Sequence, residues 1–169
     1  MNERFVAVLM GSGSDLPVMQ ATFEVFDRVG VAYEARITSA HRTPDATRAF
    51  VHDAAGRGCA VFIAAAGLAA HLAGAVAAET IRPVIGVPID AGPLKGLDAL
   101  LSTVQMPAGI PVATVAIGRA GARNAAWLAA QILAVDDPRI AERLLEERAA
   151  AREAVAANNA GLADKLAKR

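Results

Sequence analysis

A continuous apolar run that leads directly into a glycine- and serine-rich loop decides the fold: residues 5–15 read FVAVLMGSGSD. The first six of these residues are all apolar, which is typical of a strand buried on both faces. A helical pattern follows over residues 16–28, with Pro17 in its first turn and Ser14 or Asp15 as the expected N-cap. The stretch therefore predicts a strand–loop–helix unit of a parallel α/β sheet.

The same alternation of apolar runs and helical patterns continues along the chain. The further predicted strands are residues 31–38, 59–66, 83–87 and 111–117, and the further predicted helices are 43–57, 69–80, 97–104 and 121–133. Right-handed crossovers between parallel strands favour a doubly wound sheet that helices cover on both sides. We therefore predict an α/β three-layer sandwich with a five-stranded parallel sheet in flavodoxin-like order.

The segment from Asp136 onward differs from the rest because it is rich in charge, with seven acidic and seven basic side chains. Residues 136–138, Asp-Asp-Pro, are a helix-start signal, and a long helix is predicted over residues 139–169. Leucines and other apolar residues form an intermittent stripe along it. Two interpretations stay open: a solvated terminal helix packed on its own domain, or an arm that reaches a neighbouring subunit.

Composition and charge exclude several classes of protein. The 169 residues are 54% hydrophobic and 4% aromatic, with 17 basic and 17 acidic side chains, so no basic surface for nucleic acid is expected. The longest apolar run, residues 59–70, is far shorter than the ~20 residues that span a bilayer. The N-terminus lacks a signal-peptide pattern, and we expect a cytoplasmic protein that binds neither nucleic acid nor membrane.

The few cysteine and histidine residues limit metal and thiol chemistry. Cys59 is the single cysteine, which excludes an intramolecular disulfide, and its apolar surroundings predict a buried side chain. His52 lies in the middle of a predicted helix, where a surface position is expected. The three histidines are scattered and no acidic cluster accompanies them, so no metal site is predicted.

The loop after the first strand is the first candidate binding loop, because ligands of doubly wound sheets bind at the carboxyl ends of the strands. Its two glycines allow a sharp turn, and Ser12 and Ser14 offer hydroxyls beside a helix N-terminus that favours a phosphate. Asp15 suits the hydroxyls of a ribose. The loop lacks the Gly-Lys-Ser/Thr of a P-loop and the third glycine of a dinucleotide fingerprint. A plain strand-to-helix turn with capping serines is the alternative.

The loops after the second and third strands add further candidates. Ser39, His41 and Arg42 fall together where the second strand ends: the arginine suits a phosphate, and histidine suits proton transfer near neutral pH. Thr43 is the expected N-cap of the next helix. The third loop, residues 64–74, consists of small residues apart from Leu68, His71 and Leu72, so its backbone can approach a flat ligand. An exposed His41 in a capped loop, and His71 as a helix-cap or core residue, are the alternatives.

Several motifs together resemble the bacterial N5-carboxyaminoimidazole ribonucleotide mutases of purine biosynthesis. They are MGSGSD at residues 10–15, SAHRTP at 39–44, AAHL at 69–72, VIGVP at 84–88, VQMP at 104–107 and AAQIL at 129–133. The resemblance runs in unbroken order from residue 5 to residue 133. It implies a flavodoxin-like subunit and a homo-octamer without cofactor or metal, in which C-terminal helices pack across subunits. We accordingly divide the chain into a flavodoxin-like catalytic domain, residues 1–135, and a C-terminal helical arm, residues 136–169.

The resemblance also implies a reaction, in which a carboxylate moves from the exocyclic nitrogen of an aminoimidazole ribonucleotide to carbon 4 of the ring. His41 would be the general acid and base. The implied substrate-binding residues are Ser12, Ser14, Asp15, Ser39, Arg42, Gly67, Leu68, Ala69 and His71. The phosphate would lie among Ser12, Ser14 and Arg42, and Asp15 would hold the ribose.

The chain departs from the family pattern in the third loop, where Leu68 replaces a glycine and Ala73 a proline. Residues 90–92, Asp-Ala-Gly, also stand where a more polar Gln-Ser-Lys type of stretch is common. A related carboxylase type, which uses free carbon dioxide, is the first alternative function; that type typically carries lysine after the histidine, whereas Arg42 follows His41 here. A non-catalytic nucleotide-binding module is the second alternative.

Overall fold

The structure, a computed structural model, describes residues 4–167, apart from the side chains of residues 163–165. The first three residues of the predicted catalytic domain and the last two of the predicted arm lie outside the described residues. The strands are β1 (Phe5–Met10), β2 (Tyr33–Ile37), β3 (Cys59–Ala66), β4 (Val84–Pro88) and β5 (Ala113–Thr114). The helices are α1 (Leu16–Val29), α2 (Pro44–Arg57), α3 (Leu72–Ala77), α4 (Leu97–Val104), α5 (Gly118–Ala134) and α6 (Pro138–Ala167).

The five strands form one parallel sheet in the order β2-β1-β3-β4-β5. Helices α1 and α5 pack on one face, where Phe26, Met19 and the inner alanines of α5 meet Ile63 of β3. Helices α2 and α3 cover the other face, around Phe62 and Leu72. This is the flavodoxin-like three-layer sandwich that the sequence predicts.

Small side chains allow α5 to lie close to the sheet and to α1. Five of its alanines, at positions 122, 125, 126, 129 and 130, are completely buried. Thr22 of α1 donates its hydroxyl hydrogen to the carbonyl of Ala122 over 2.8 Å, which satisfies a polar group inside this layer. A side chain at Gly121 would collide with the carbonyl of Ala116, so the first turn of α5 requires glycine at this position.

Three elements are shorter than the sequence predicts: β2, which is Tyr33–Ile37 instead of residues 31–38, and more markedly β5 and α3. β5 has two residues instead of residues 111–117, and Pro111 carries no N–H for a ladder hydrogen bond. α3 starts at Leu72 rather than at residue 69 because Leu68 has a φ of +57° and its carbonyl accepts from the N–H of Ala70 over 2.8 Å. The chain therefore makes a tight turn where the apolar pattern predicts helix.

The long terminal helix α6 divides into two parts. Ile140 and Leu144 are nearly buried and join the hydrophobic core beside α1 and α5. In contrast, residues 151–160 are all exposed, and Val155, Leu162 and Leu166 leave about half or more of their surface uncovered. The beginning of α6 thus packs on its own domain, whereas its later turns do not. Among the described residues, no helix is long and apolar enough to cross a membrane.

Candidate functional site

A cleft of about 500 Å³ lies at the carboxyl ends of β1, β2 and β3. All of the predicted site residues line it: Ser12, Ser14, Asp15, Ser39, His41, Arg42, Gly67, Leu68, Ala69 and His71. The cleft also includes residues that the sequence argument did not select, among them Leu72 and Ala91. Ala91 belongs to the loop after β4, and its small side chain gave no chemical signal by which it could have been found.

The first loop is held by hydrogen bonds among its own polar groups. Ser12 caps a single 3-10 turn over Gly13–Asp15: its N–H donates to Asp15 Oδ2 over 2.9 Å, and its Oγ accepts from the N–H and hydroxyl of Ser14. Asp15 occupies the N-cap position of α1 without a side-chain capping bond. Asp15 thus occupies the predicted N-cap position of α1, whereas the side-chain capping bond belongs to the preceding turn and comes from Ser12. The bonds fix a compact serine-lined turn at the floor of the cleft.

Asp15 is the buried charged group of the cleft, with 5% of its surface exposed. Burial raises the pKa of its carboxyl above the ordinary value, because a low-dielectric surrounding disfavours the charged form. The hydrogen bonds from Ser12 and Ser14 and the positive charge of Arg42 act in the opposite direction. A carboxylate that is held in this way is suited to accept hydrogen bonds from ligand hydroxyls.

Arg42 connects the second loop with the first. Its Nη2 donates to the carbonyl of Gly11 over 2.9 Å, and its Nε lies 3.4 Å from Ser39 Oγ. The backbone N–H of Arg42 also donates to Ser39 Oγ, over 3.2 Å. The guanidinium is thereby placed beside the serines of the first loop, where an anionic group can be bound from two sides.

Three threonines beside the second loop are connected by hydrogen bonds between their hydroxyls. We call them the threonine relay: Thr38, Thr43 and Thr47. Thr38 Oγ1 lies 2.7 Å from Thr47 Oγ1 and 3.2 Å from Thr43 Oγ1. Thr43 Oγ1 accepts from the backbone N–H of Ser39 over 2.9 Å. Thr43 thus occupies the predicted N-cap position but makes no side-chain capping bond, and its hydroxyl stabilises the loop instead. Sequence reasoning missed Thr38 and Thr47, although both flank the loop at the strand end and in the first helical turn.

His41 and His71 come from different loops and meet in the cleft. His41 Nε2 lies 3.3 Å from His71 Nδ1, and the two ring centroids are 5.2 Å apart at an interplanar angle of 39°. One nitrogen donates and the other accepts, so the contact fixes the orientation of the rings relative to each other. His71 stands at the N-cap position of α3 without capping it through its side chain and is exposed, so it is not a core histidine.

The other histidine and the cysteine lie outside the cleft. His52 is exposed and forms a hydrogen bond of 3.0 Å with Glu79, which also pairs with Arg48. Cys59 is completely buried, and this burial raises the pKa of its thiol to about 11. Both positions agree with the sequence predictions. Within residues 4–167, no three His, Cys, Asp or Glu side chains are grouped so that they could hold a metal ion.

A larger depression of about 960 Å³ lies at the opposite edge of the sheet, before β4 and β5. Small and apolar residues form most of its lining, including Ala77, Ile81 and Ile110. Its charged side chains include Glu79, which is already paired with Arg48. The smaller cleft brings together a buried carboxylate, a guanidinium, serine hydroxyls and two imidazoles, so we assign the candidate site there.

Comparison with known proteins agrees with this assignment. A family model described as AIR carboxylase matches residues 5–154. The chain belongs to the AIR carboxylase family. It is 51% identical over 153 residues to the N5-carboxyaminoimidazole ribonucleotide mutase of Pseudomonas aeruginosa, covering 90% of this chain and 94% of that protein. The mutase of Brucella melitensis is 54% identical over 151 residues, which cover 89% of this chain and 93% of that protein.

A solved structure shares the fold. The crystal structure of PurE from Treponema denticola is similar with a TM-score of 0.84 and 28% sequence identity, and the match covers 94% of this chain and 98% of that one. Membership of the AIR carboxylase family, together with the parallel sheet, confirms the resemblance to N5-carboxyaminoimidazole ribonucleotide mutases that the sequence motifs suggest.

Proposed function

We propose that this protein is a cytoplasmic purine-biosynthesis isomerase that converts N5-carboxyaminoimidazole ribonucleotide to 4-carboxy-5-aminoimidazole ribonucleotide. The observation that carries the proposal is the meeting of His41 and His71 in a cleft that also holds Ser12, Asp15 and Arg42. The names of its relatives, at about half identity over most of the chain, support the same reaction.

The polar half of the cleft binds the ribose phosphate. The phosphate lies among Ser12, Ser14 and Arg42. The hydroxyl of Ser12, whose oxygen accepts from Ser14, and the guanidinium of Arg42 donate to the phosphate oxygens, with Ser39 holding the arginine in place. Asp15 accepts hydrogen bonds from the ribose hydroxyls. These contacts direct the aminoimidazole ring toward the loop after β3, at Gly67, Leu68 and Ala69.

His41 moves the proton that the rearrangement requires. It donates a proton to the carbamate nitrogen, the bond between that nitrogen and the carboxylate carbon breaks, and carbon dioxide is released. Carbon 4 of the freed, enamine-like aminoimidazole then attacks carbon dioxide and forms the new carbon–carbon bond. The proton left on carbon 4 returns to His41, which restores both the aromatic ring and the starting form of the enzyme.

His71 positions the catalytic histidine rather than reacting itself. Its Nδ1 contacts His41 Nε2, and its place at the start of α3 fixes it relative to the sheet. A held ring presents its proton to the substrate in one orientation, which lowers the entropy that must be lost in the transition state.

The carboxylase type, which combines free carbon dioxide with the uncarboxylated ribonucleotide, is the second candidate because the matching family model carries that name. The two are separated by supplying purified protein with the carbamate, or with aminoimidazole ribonucleotide plus bicarbonate, and following product absorbance. We expect rapid product formation from the carbamate. Product only from the free ribonucleotide and carbon dioxide would identify a carboxylase, and ribonucleotide binding without any product would identify a non-catalytic module.

We further propose a homo-octamer in which the later turns of α6 pack on a neighbouring subunit. Val155, Leu162 and Leu166 are spaced by seven and four residues and form one exposed apolar stripe. A chain that ends at residue 150 keeps Ile140 and Leu144, which seal the domain core. We expect sedimentation to show a folded but smaller assembly for this chain. An octamer of unchanged size would show that the later turns of α6 do not hold it together.

A further inference from the structure

Leu68 has an unusual conformation at the edge of the cleft. Its φ of +57° is in the left-handed region, where a side chain crowds the following carbonyl, yet 52% of its surface remains exposed. A large apolar residue whose backbone is strained and whose side chain is half exposed contributes little to the stability of the fold. Strain of this kind in a binding cleft points to a role in function.

The loop after β4 leaves space for this leucine. Gly92 has a φ of +72°, and a Cβ at this position would lie 2.5 Å from Leu68 Cδ2. Likewise, a Cβ at Gly67 would lie 2.9 Å from Ala91 Cβ. The two loops therefore fit together only because glycine stands at 67 and 92, and the Leu68 side chain lies directly over Gly92.

Leu68 is also distinct from its neighbours on the apolar wall of the cleft. Ala66, Gly67, Ala69 and Ala91 have at most one side-chain carbon, and Leu72 is 2% exposed. Among the described residues that line the cleft, Leu68 is thus the one large apolar side chain with surface left to cover. Its branched end can pack over a ligand without offering it a hydrogen bond.

We propose that Leu68 is the apolar cover that retains carbon dioxide between its release from nitrogen and its capture by carbon 4. This inference rests on the proposed mutase reaction. Carbon dioxide is neutral and forms only weak hydrogen bonds, so polar groups cannot hold it, and its retention depends on an apolar enclosure that excludes water. Leu68 supplies this enclosure on the side of the cleft that adjoins the Gly92 loop.

The test measures how often a turnover loses its carbon dioxide. The full-length protein is given the carbamate in the presence of carbonic anhydrase, which converts escaped carbon dioxide to bicarbonate. The ratio of free aminoimidazole ribonucleotide to carboxylated product is determined by chromatography, after subtraction of the breakdown without enzyme. Because about half of a leucine side chain remains to be covered, L68G should raise the released fraction about fivefold.

Matched variants separate an apolar cover from a general disturbance. Glycine adopts the φ of residue 68 readily, so L68G is expected to fold. L68M, which restores an apolar side chain of similar length, should lower the released fraction again, and L94A, which shortens an exposed leucine outside the cleft, should not raise it. G92A, whose methyl group collides with Leu68, should raise the released fraction more in the unaltered chain than in L68G, where only the strain of alanine at a φ of +72° remains.

The outcomes are distinct. An unaltered protein that forms no product from the carbamate overturns the proposed function and this inference together. If the unaltered protein forms product but L68G releases no more free ribonucleotide than it does, the role of Leu68 alone is refuted. The same holds if L68M releases as much as L68G, because the effect would then not depend on apolar cover.

Discussion

Replacement of Thr47 by valine tests the threonine relay beneath the His41 loop. Valine keeps the shape of threonine but removes its hydroxyl, and this hydroxyl makes two hydrogen bonds. It donates to the carbonyl of Thr43 over 3.1 Å, and since it has a single hydrogen, it accepts from Thr38 over 2.7 Å. Thr38 and Thr47 are 5% and 3% exposed, so water cannot replace the lost bond.

The expected cost follows from these two bonds. A hydrogen bond between neutral groups contributes about 0.5–1.5 kcal/mol net, and the bond to the Thr43 carbonyl is the weaker one because that oxygen also accepts from the backbone N–H of Thr47. T47V should therefore lower the free energy of unfolding by about 1–2 kcal/mol. For a chain of this size the melting temperature should fall by about 2–8 °C.

Urea unfolding followed by circular dichroism measures the loss of stability, and a double-mutant cycle shows how much of it comes from the hydrogen bond between Thr38 and Thr47. T38V/T47V removes both partners of the shortest bond, so its cost should be smaller than the sum of the two single costs by about 1 kcal/mol. T103V is the matched control: Thr103 is equally buried, but its hydroxyl only donates back to the carbonyl of Ala99 within α4. Equal stability of T47V and T103V, or additive costs in the cycle, would refute the relay.

Three further predictions concern single side chains. H41N should bind the ribonucleotide with nearly unchanged affinity in calorimetry but lose about 10²–10⁴ of its turnover, and a rate within tenfold of the unaltered protein would remove His41 from the proposed mechanism. Because burial raises the folded pKa of Asp15 above 3.8, the stability that this group contributes is present below that value and is lost as the pH rises through the folded pKa. At pH 7, D15N should thus melt at a higher temperature than the unaltered protein, and near pH 3 this difference should disappear. The KM of D15N should rise. A melting temperature of D15N below that of the unaltered protein at pH 7 would contradict this reasoning. In the folded protein the pKa of the Cys59 thiol is raised to about 11, so only about a thousandth of it is thiolate at pH 8. It should therefore resist iodoacetamide at this pH in the folded protein and react readily once urea has unfolded the chain.

The parts of the fold that sequence could predict are those in which one local pattern decides the structure. β1 and β3 are continuous apolar runs, and their bounds are as predicted because both are buried on both faces. The predicted α3 is too long because the alanines of residues 69–71 favour helix locally, whereas Leu68, which lies against Gly92, has a left-handed φ and lies in a tight turn. Such a contact between distant loops leaves no local pattern.

In the candidate site, too, local sequence patterns predict some features, whereas contacts between distant residues decide the others. Chain topology places the loops after β1, β2 and β3 at one edge, so their polar residues could be predicted to line one cleft. The hydrogen bond between His41 and His71 and the contact of Arg42 with the Gly11 carbonyl join residues about thirty positions apart, and no sequence spacing encodes them. The relay was missed because threonine occurs in strands as well as in turns and so marks no site by itself, and only the fold brings Thr38 and Thr47 together.

The packing of Ile140 and Leu144 against the first helix of the chain has a consequence for how the protein is made. The partner surface on α1 is complete at Val29, about 115 residues before Leu144 is added. At 5–20 residues per second, the ribosome exposes this surface for roughly 6–23 s before its final cover is synthesised. During synthesis, the part of α1 that Ile140 and Leu144 cover therefore stays an exposed apolar surface until the beginning of α6 has been added.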